Sequence, residues 1–381
     1  MRYLICIYIF ISSLVVHGQT MIKSLTFESN TRSYRIFIPK SYNLVKKYPL
    51  VFNLHGNGSN AEEQEAYSEM NLIADTADFI VVYPDGIGNT WNSGFNIPYD
   101  SGTNDVGFIS MLIDTLAANY NIDMQRIYSC GMSMGGFMSY RLACELHNRI
   151  AAIASVTGLM SIQVPPNCQQ QKPVPVLQFH GTSDSTVYYN GNFYHTSVDY
   201  TIDWWNQKNN CDSSSIVKNF PDLVNEGSTV TKFSYSICDQ NSEVVLYKIN
   251  NGGHTWPGAV SLPSLGNTNQ DIKASVEIWE FFGKHYNSSP ASLKNTIQEE
   301  NIILEFGPNP VKDILTLHLS QNDNCPKGIY LFNTTGKLLS FESISSSAIS
   351  TSIDFTAQPA GLYFICVLTN QSKNIFKVVK E

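Results

Sequence analysis

The sequence predicts an α/β fold, in which a mostly parallel sheet is covered by helices on both faces, followed by a small C-terminal β-sandwich. Short apolar runs alternate with helix-like segments from about residue 50 to residue 286, which is typical of a parallel sheet. A polar stretch without periodicity covers 287–300, and only short strands separated by turns follow it. We therefore expect one domain over 19–286, a linker over 287–300 and a β-sandwich over 301–381.

The first eighteen residues have the pattern of a secretory signal peptide. A short basic start, Met1-Arg2, precedes an almost wholly apolar run over 4–16, and the small residue Gly18 stands before Gln19. A membrane anchor is the alternative, but the apolar run is short for a bilayer span. We expect cleavage after Gly18 and a secreted or surface-attached product.

The remaining elements follow from periodicity. Polar and apolar residues alternate over 24–27 and 34–38, which predicts antiparallel edge strands. Buried strands are expected at Leu50 and Phe79. Besides a helix after residue 133, helices are expected over 62–77, over 106–119, in the run that carries Trp204 and Trp205 and, as the closing element of the domain, over 271–286.

The motif Gly-x-Ser-x-Gly at 131–135 places Ser133 between a buried strand and a helix. A strand, a tight turn and a helix put such a serine on a strained elbow, where only small residues fit on either side. The helix that follows directs its first N–H groups and its positive dipole end toward a reacting carbonyl. Ser133 is therefore a candidate nucleophile.

A base and an acid follow in the chain. Asp184 comes just after an apolar strand, and His254 lies in a glycine-rich loop just after another. A histidine in such a loop can reach the serine, while its second ring nitrogen remains available to a carboxylate. The order Ser133, Asp184, His254 is that of α/β-hydrolases and differs from the orders in chymotrypsin and subtilisin.

The oxyanion donors are expected at two backbone N–H groups. One is that of Asn57, in the loop that follows the strand ending at Leu54, and the other is that of Met134. His55 and His180 also stand at strand ends, and for both we favour a structural role, as hydrogen-bonding partners of their loops.

The chain resembles the secreted esterases grouped with polyhydroxybutyrate depolymerases and feruloyl or acetylxylan esterases. The resemblance runs from about residue 30 to about 286, and its motifs occur in family order: 54–56, 70–71, 80–85, 91–92, 104–109, 131–136, 180–184 and 253–258. It implies an α/β-hydrolase fold and a Ser133–His254–Asp184 triad. Members often carry Cys after the first His-Gly, where this chain has Asn57. Trp91 and Trp256, which belong to two of the motifs, are predicted to contact substrate.

The C-terminal segment from Asn301 resembles the sorting domain of type IX secretion, a resemblance carried by 307–311, 333–337, 359–363 and 377–380. It implies export through the type IX secretion machinery. The alternative is a carbohydrate-binding module or a plain accessory sandwich.

Composition and residue spacing limit the classes of molecule that this protein is expected to bind. The net charge is −8 and charged residues make up 15% of the chain, so no basic stripe is available for nucleic acid. No Cys/His spacing resembles a zinc site and nothing resembles a phosphate loop, so neither a metal nor another cofactor is expected. The sequence leaves the oligomeric state open.

Export permits disulfides. Cys211 and Cys238 bracket a loop rich in serine and asparagine, and we expect them to pair. A bond between Cys144 and Cys168 would clamp the end of the helix after Ser133. Cys130, on a central strand, is expected to be a buried free thiol.

Two function classes follow. The leading hypothesis is a serine hydrolase of polymeric carboxylic esters, either feruloyl and acetyl esters of plant cell walls or, alternatively, polyhydroxyalkanoates. The other class is a non-catalytic surface-binding protein that retains the fold, and completeness of the triad argues against it.

Overall fold

The structure is a computed structural model that describes residues 18–287, 305–318, 328–333, 338–343, 350–368 and 373–381. The chain divides into two compact units, Met1–Ser289 and Pro290–Glu381. Residues 1–17 of the predicted signal peptide and 288–300 of the predicted linker lie outside the described part.

The first unit is built on one ten-stranded sheet. Its strands are β1 Gln19–Phe27, β2 Asn30–Ile38, β3 Tyr48–Leu54, β4 Ile80–Pro84, β5 Ile122–Met132, β6 Ala152–Val156, β7 Val176–Gly181, β8 Ile216–Asn219, β9 Thr229–Tyr235 and β10 Val244–Asn250. They lie in the order β1-β2-β4-β3-β5-β6-β7-β10-β9-β8. The six strands from β4 to β10 in this order are parallel to one another, and antiparallel pairs flank them on both sides. The antiparallel edge strands expected near the N-terminus are confirmed.

Helices cover both faces of this sheet. They are α1 Ala61–Ser68, α2 Met70–Ala77, α3 Asp105–Asn119, α4 Met134–Glu145, α5 Val164–Asn167, α6 Val198–Lys208 and α7 Ala274–Phe282. Side chains of β3 alternate between two cores, since Leu50 and Phe52 belong to the core that includes residues of α3, α4 and α6, while Val51 belongs to the core that includes residues of α1, α2 and α7. This alternation follows from the two-residue period of a strand that is buried on both faces.

Two predicted helices differ from the observed ones. The segment expected as a single helix over 62–77 is interrupted at Glu69, whose φ of 50° is left-handed and ends α1 before α2 begins. The closing helix α7 is shorter than the expected 271–286, because Lys273 is still extended and Gly283 caps the last turn.

Two disulfides lie in the first unit. Cys144, near the end of α4, is bonded to Cys168, and Cys211 is bonded to Cys238. Cys130 is a buried free thiol on β5, as expected from its place in the sequence. Burial raises the pKa of this thiol.

The second unit contains two antiparallel sheets. One has the order β11-β12-β15, with β11 Glu305–Gly307, β12 Ile314–His318 and β15 Ser350–Asp354, and the other has the order β14-β13-β16-β17, with β13 Gly328–Asn333, β14 Leu338–Ser343, β16 Gly361–Leu368 and β17 Lys373–Lys380. Leu315 and Leu317 of β12 share a core with Ile329 and Leu331 of β13 and with Ile365 of β16. The unit is therefore a small β-sandwich.

Among the described residues, no helix has both the length and the apolar character that a membrane span requires.

Candidate active site

Ser133 lies on a strained turn between β5 and α4. Its φ of 52° and ψ of −119° are unusual for a residue with a side chain. The flanking glycines are required by close packing, since a Cβ on Gly131 would lie 2.6 Å from the carbonyl oxygen of Leu54 and one on Gly135 only 2.1 Å from it. The backbone on both sides of the serine therefore packs tightly against the end of β3.

Asp184 and His254 form a buried pair. His254 Nδ1 lies 2.7 Å from Asp184 Oδ2, and the two residues are 5% and 4% exposed. The second carboxylate oxygen of Asp184 accepts the backbone N–H groups of Thr186 and Val187, each at 2.8 Å. Burial alone would raise the pKa of the Asp184 carboxyl, but these bonds and the neighbouring histidines outweigh burial and lower it. The carboxylate is thus held ionised and oriented toward the imidazole.

His180 supports this pair without joining it. Its Nε2 lies 2.8 Å from the carbonyl oxygen of Val187, to which it donates, and Nδ1 accepts from the side-chain amide of Gln178 at 3.1 Å. Complete burial lowers the pKa of His180 to about 4, with the charge of Asp184 opposing the shift. The structural role favoured for this residue agrees with these contacts.

We expect His180 to make stability depend on pH. The folded protein keeps the imidazole neutral, whereas the unfolded chain takes up a proton below about pH 6.5. The contribution is therefore present above pH 6.5 and is lost as the pH falls toward 4, by about 3 kcal/mol in total. Urea unfolding between pH 7 and pH 4, followed by tryptophan fluorescence, measures this loss.

All five tryptophans of the chain lie in the first unit, so their fluorescence reports that unit alone. His180→Gln, which can still donate to Val187, should show a smaller loss of unfolding free energy over this pH range than the wild type. His318→Gln, in the second unit, is the control. A His180→Gln variant with the wild-type dependence would assign the loss to other groups.

The loop after β3 brings Gly56 and Asn57 beside the serine. A Cβ on Gly56 would lie 3.4 Å from Ser133 Cβ, so the backbone here passes close to the Ser133 side chain. His55 holds this loop, because its Nδ1 lies 2.7 Å from the carbonyl oxygen of Gly56 and its Nε2 accepts the N–H of Gly86 at 3.0 Å. Burial lowers the pKa of His55 and outweighs its hydrogen bond with Gly56 and the nearby carboxylates.

Met134 is the first residue of α4, where helix N–H groups have no acceptor within the helix. Its backbone N–H follows Ser133 directly, on the positive end of the helix dipole. The two residues expected to donate to an oxyanion, Asn57 and Met134, thus both adjoin the serine.

A cavity of about 340 Å³ opens over these groups. Its lining combines Ser133, His254 and Asn57 with residues that the sequence did not indicate, namely Tyr67 and Gln64 of α1, Glu63, Ser59, Met132, Leu262 and Leu265. Tyr67 lies on the helix that follows the predicted oxyanion loop, which is the one sequence signal that places it near the site. Leu262 and Leu265 carry no such signal, since only the return of the loop after His254 brings them here.

The structure does not place Trp91 or Trp256 at this cavity. Trp91 is 2% exposed and its indole N–H donates to the carbonyl oxygen of His55 at 3.0 Å. Trp256 is 1% exposed and donates to Ser275 Oγ at 3.1 Å. Both rings are core residues that secure the loops carrying His55 and His254, which corrects the expectation that they contact substrate.

Three carboxylates cluster away from this cavity. Ligand oxygens of Asp222, Glu226 and Asp271 lie within 4.8 Å of one another. Protein donors engage part of this cluster, since Asp271 Oδ1 accepts the N–H groups of Leu223 and Val224, and the Asn269 amide donates to Glu226 Oε1 and Asp271 Oδ2. The sequence did not indicate this cluster, because Asp271 is distant in the chain from Asp222 and Glu226, which share the loop between β8 and β9.

Two family models match separate parts of this chain. Residues 32–166 match the family model described as esterase PHB depolymerase, and residues 306–381 match that of the secretion system C-terminal sorting domain. The acetyl xylan esterase of Aspergillus awamori superposes with a TM-score of 0.50 at 15% identity, covering 69% of this chain and 99% of that chain. This likeness shows the α/β-hydrolase fold that the sequence predicted.

Among curated relatives, the bifunctional acetylxylan esterase/xylanase XynS20E of Neocallimastix patriciarum is 29% identical over 68% of this chain. The chain spans 34% of the length of that relative. Feruloyl esterase D of Neurospora crassa is 26% identical over 70% of this chain and 86% of its own length. Residues 32–166 are thus similar to the PHB depolymerase esterase family, feruloyl and acetylxylan esterases are among the similar proteins, and residues 306–381 are similar to a secretion system C-terminal sorting domain.

Proposed function

We propose that this protein is a secreted serine hydrolase of carboxylic esters. One observation carries the proposal: Ser133, on its strained turn, opens into the same cavity as His254, whose other ring nitrogen is bound by the buried Asp184 carboxylate. These are the three roles that nucleophilic acyl transfer requires, namely nucleophile, base and orienting acid. The names of the relatives, which are esterases, support the same reaction class.

The proposed reaction begins with attack of Ser133 Oγ on the ester carbonyl while His254 Nε2 takes its proton. Asp184 holds the proton on His254 Nδ1 and stabilises the imidazolium that forms. The backbone N–H groups of Asn57 and Met134 bind the oxyanion. His254 then protonates the leaving alkoxide, and water attacks the acyl-enzyme by the same route in reverse.

The cavity favours an aromatic acyl group over an acetyl group. Its volume of about 340 Å³ falls in the range of about 300–1,000 Å³ that small-molecule sites occupy, and it is far larger than an acetyl group requires. Tyr67, Leu262, Leu265 and Met132 supply an apolar wall suited to a ring. We therefore place feruloyl esters of plant cell-wall xylan first and acetyl esters second.

Polyhydroxyalkanoates are the alternative substrate class, because the matching family model is described by PHB depolymerase. A panel of methyl ferulate, acetylated xylan and polyhydroxybutyrate, given to the protein without residues 1–18, tests the proposal. Hydrolysis of methyl ferulate with the highest kcat/KM supports the feruloyl assignment. Hydrolysis of polyhydroxybutyrate alone would identify the protein as a depolymerase instead. If none of the three esters is hydrolysed, the result would support a non-catalytic binding protein.

The C-terminal sandwich is proposed to direct export through the type IX secretion machinery, with the predicted signal peptide supplying the first step. The match of residues 306–381 to a secretion sorting domain supports this role. The sandwich has its own core, around Leu315, Ile329 and Ile365, as an independent sorting unit requires.

Truncation after Asn287 should leave a soluble enzyme with kcat/KM within about twofold of the full chain, because Ser133, Asp184, His254 and the whole cavity lie in the first unit. In the native host the truncated protein should fail to reach the cell surface. Ester assays on the purified truncated protein measure its activity. Fractionation of cells that express the full-length or the truncated form measures export. Lost activity with normal export would make the sandwich part of the substrate site.

A further inference from the structure

The imidazole of His55 is held in one tautomer by its neighbours. The backbone N–H of Gly86 can only donate, and it lies 3.0 Å from Nε2, so Nε2 is the acceptor. The single proton of the neutral ring is therefore on Nδ1, which donates to the carbonyl oxygen of Gly56 at 2.7 Å. His55 is completely buried, so water does not compete for either nitrogen.

This bond fixes the orientation of one peptide unit. The C=O of Gly56 and the N–H of Asn57 belong to the same planar group, and the Gly56–Asn57 bond is trans, since the cis bonds of the described chain are at Pro308 and Pro310. In a trans peptide the C=O bond and the N–H bond point in opposite directions. A carbonyl held toward His55 therefore directs the Asn57 N–H away from the imidazole, on the side of the cavity that Asn57 lines with Ser133.

The next two N–H groups of this loop, those of Gly58 and Ser59, are already engaged. The N–H of Gly58 donates to Asn89 at 2.7 Å, and the N–H of Ser59 closes a turn on the Gly56 carbonyl at 3.2 Å. Within the described residues the Asn57 N–H has no acceptor. A donor that is oriented and unpaired before substrate arrives is what stabilises developing negative charge at low reorganisation cost.

We propose that His55 is a positioning residue for the oxyanion site, which sets the direction of the Asn57 N–H through its bond to the Gly56 carbonyl. This inference rests on the proposed function and deepens it. His55 touches neither substrate nor the reacting atoms. Its effect should therefore appear in the transition state, where the oxyanion exists, and not in substrate binding.

Two substitutions distinguish the effects of the two hydrogen bonds that the His55 ring makes. In His55→Asn the side-chain amide nitrogen can take the place of Nδ1 and donate to Gly56. In His55→Gln the amide reaches the place of Nε2, so the bond to Gly56 is lost while a partner for Gly86 is retained. With methyl ferulate we expect His55→Gln to lower kcat about 100-fold with KM changed less than about threefold. His55→Asn should keep kcat within about tenfold of the wild type.

His285→Gln is the matched control, because His285 is similarly buried, at 6% exposure, and lies outside the cavity. It should lower the urea midpoint while leaving kcat unchanged. A ¹⁵N–¹H correlation spectrum of the wild type, which identifies the protonated ring nitrogen, should show the Nδ1–H tautomer for His55. The Nε2–H tautomer would overturn the inference without any reference to activity.

Folded His55→Gln and His55→Asn variants with equal kcat values would also overturn it, whether both are active or both impaired. In those cases an active wild type leaves the proposed function standing. A wild-type protein that hydrolyses none of the esters overturns the proposed function itself, and the inference with it.

Discussion

Ser133→Ala should abolish ester hydrolysis, with kcat reduced by about 10⁶-fold on any good substrate. The reason is that the acyl-enzyme cannot form without Oγ, and the remaining groups can only assist attack by water. The fold should persist, because the side chain faces the cavity and its loss removes little packing. Steady-state kinetics with methyl ferulate and the urea midpoint measure the two outcomes.

Ser139→Ala is the matched control for this variant. It lies on the same helix, α4, but its hydroxyl is buried against Ser129 and the Gly135 carbonyl, away from the cavity. This substitution should cost stability and leave kcat nearly unchanged. A Ser133→Ala protein with activity within about tenfold of the wild type would remove Ser133 from the mechanism.

Asp184→Asn should lower kcat by about 10⁴-fold with little change in KM. The structure supplies a specific reason. Oδ1 of Asp184 accepts two backbone N–H groups, so the amide oxygen of the asparagine must remain there and its NH₂ must face His254. That group donates to Nδ1 and shifts the ring proton to Nε2, where it prevents His254 from accepting the serine proton.

The contacts of Thr186 and Val187 persist in this variant, so its stability should change much less than its activity. Asp199→Asn and Asp203→Asn, on α6, are the controls because these two carboxylates are the other acids near in sequence. They should retain kcat within about twofold. Severe loss in either of them, with Asp184→Asn active, would mean that the orienting acid had been misassigned.

The fold was predictable from sequence because most of it is expressed in local patterns. The alternation of apolar strands and helices predicts the parallel sheet, and the alternation within 24–27 and 34–38 predicts its antiparallel edge. The left-handed Glu69 was not predictable, because glutamate has no preference for positive φ and the helical pattern continues across it. The backbone conformation of Glu69 is set by the tertiary packing of α1 and α2.

The site was predictable in part, for a related reason. Ser133, Asp184 and His254 each follow a strand, and the carboxyl ends of parallel strands meet at one edge of the sheet. Their pairing in space therefore follows from topology, while their catalytic roles stay a prediction. The loop aromatics Trp91 and Trp256 were misjudged, because a position near a motif does not tell whether a ring turns into the core or into the cavity.

The break at Glu69 has a consequence for how substrate preference could change during evolution or engineering. It separates α2, whose Met70 and Ala74 are completely buried against the sheet, from α1, which carries Glu63 and Tyr67 to the wall of the cavity. Glu63 is exposed and Tyr67 is half-buried at the edge of the core, so substitutions there should cost less stability than changes at the completely buried Met70. One short helix thus offers a surface on which new ester specificities can arise while the catalytic scaffold stays folded.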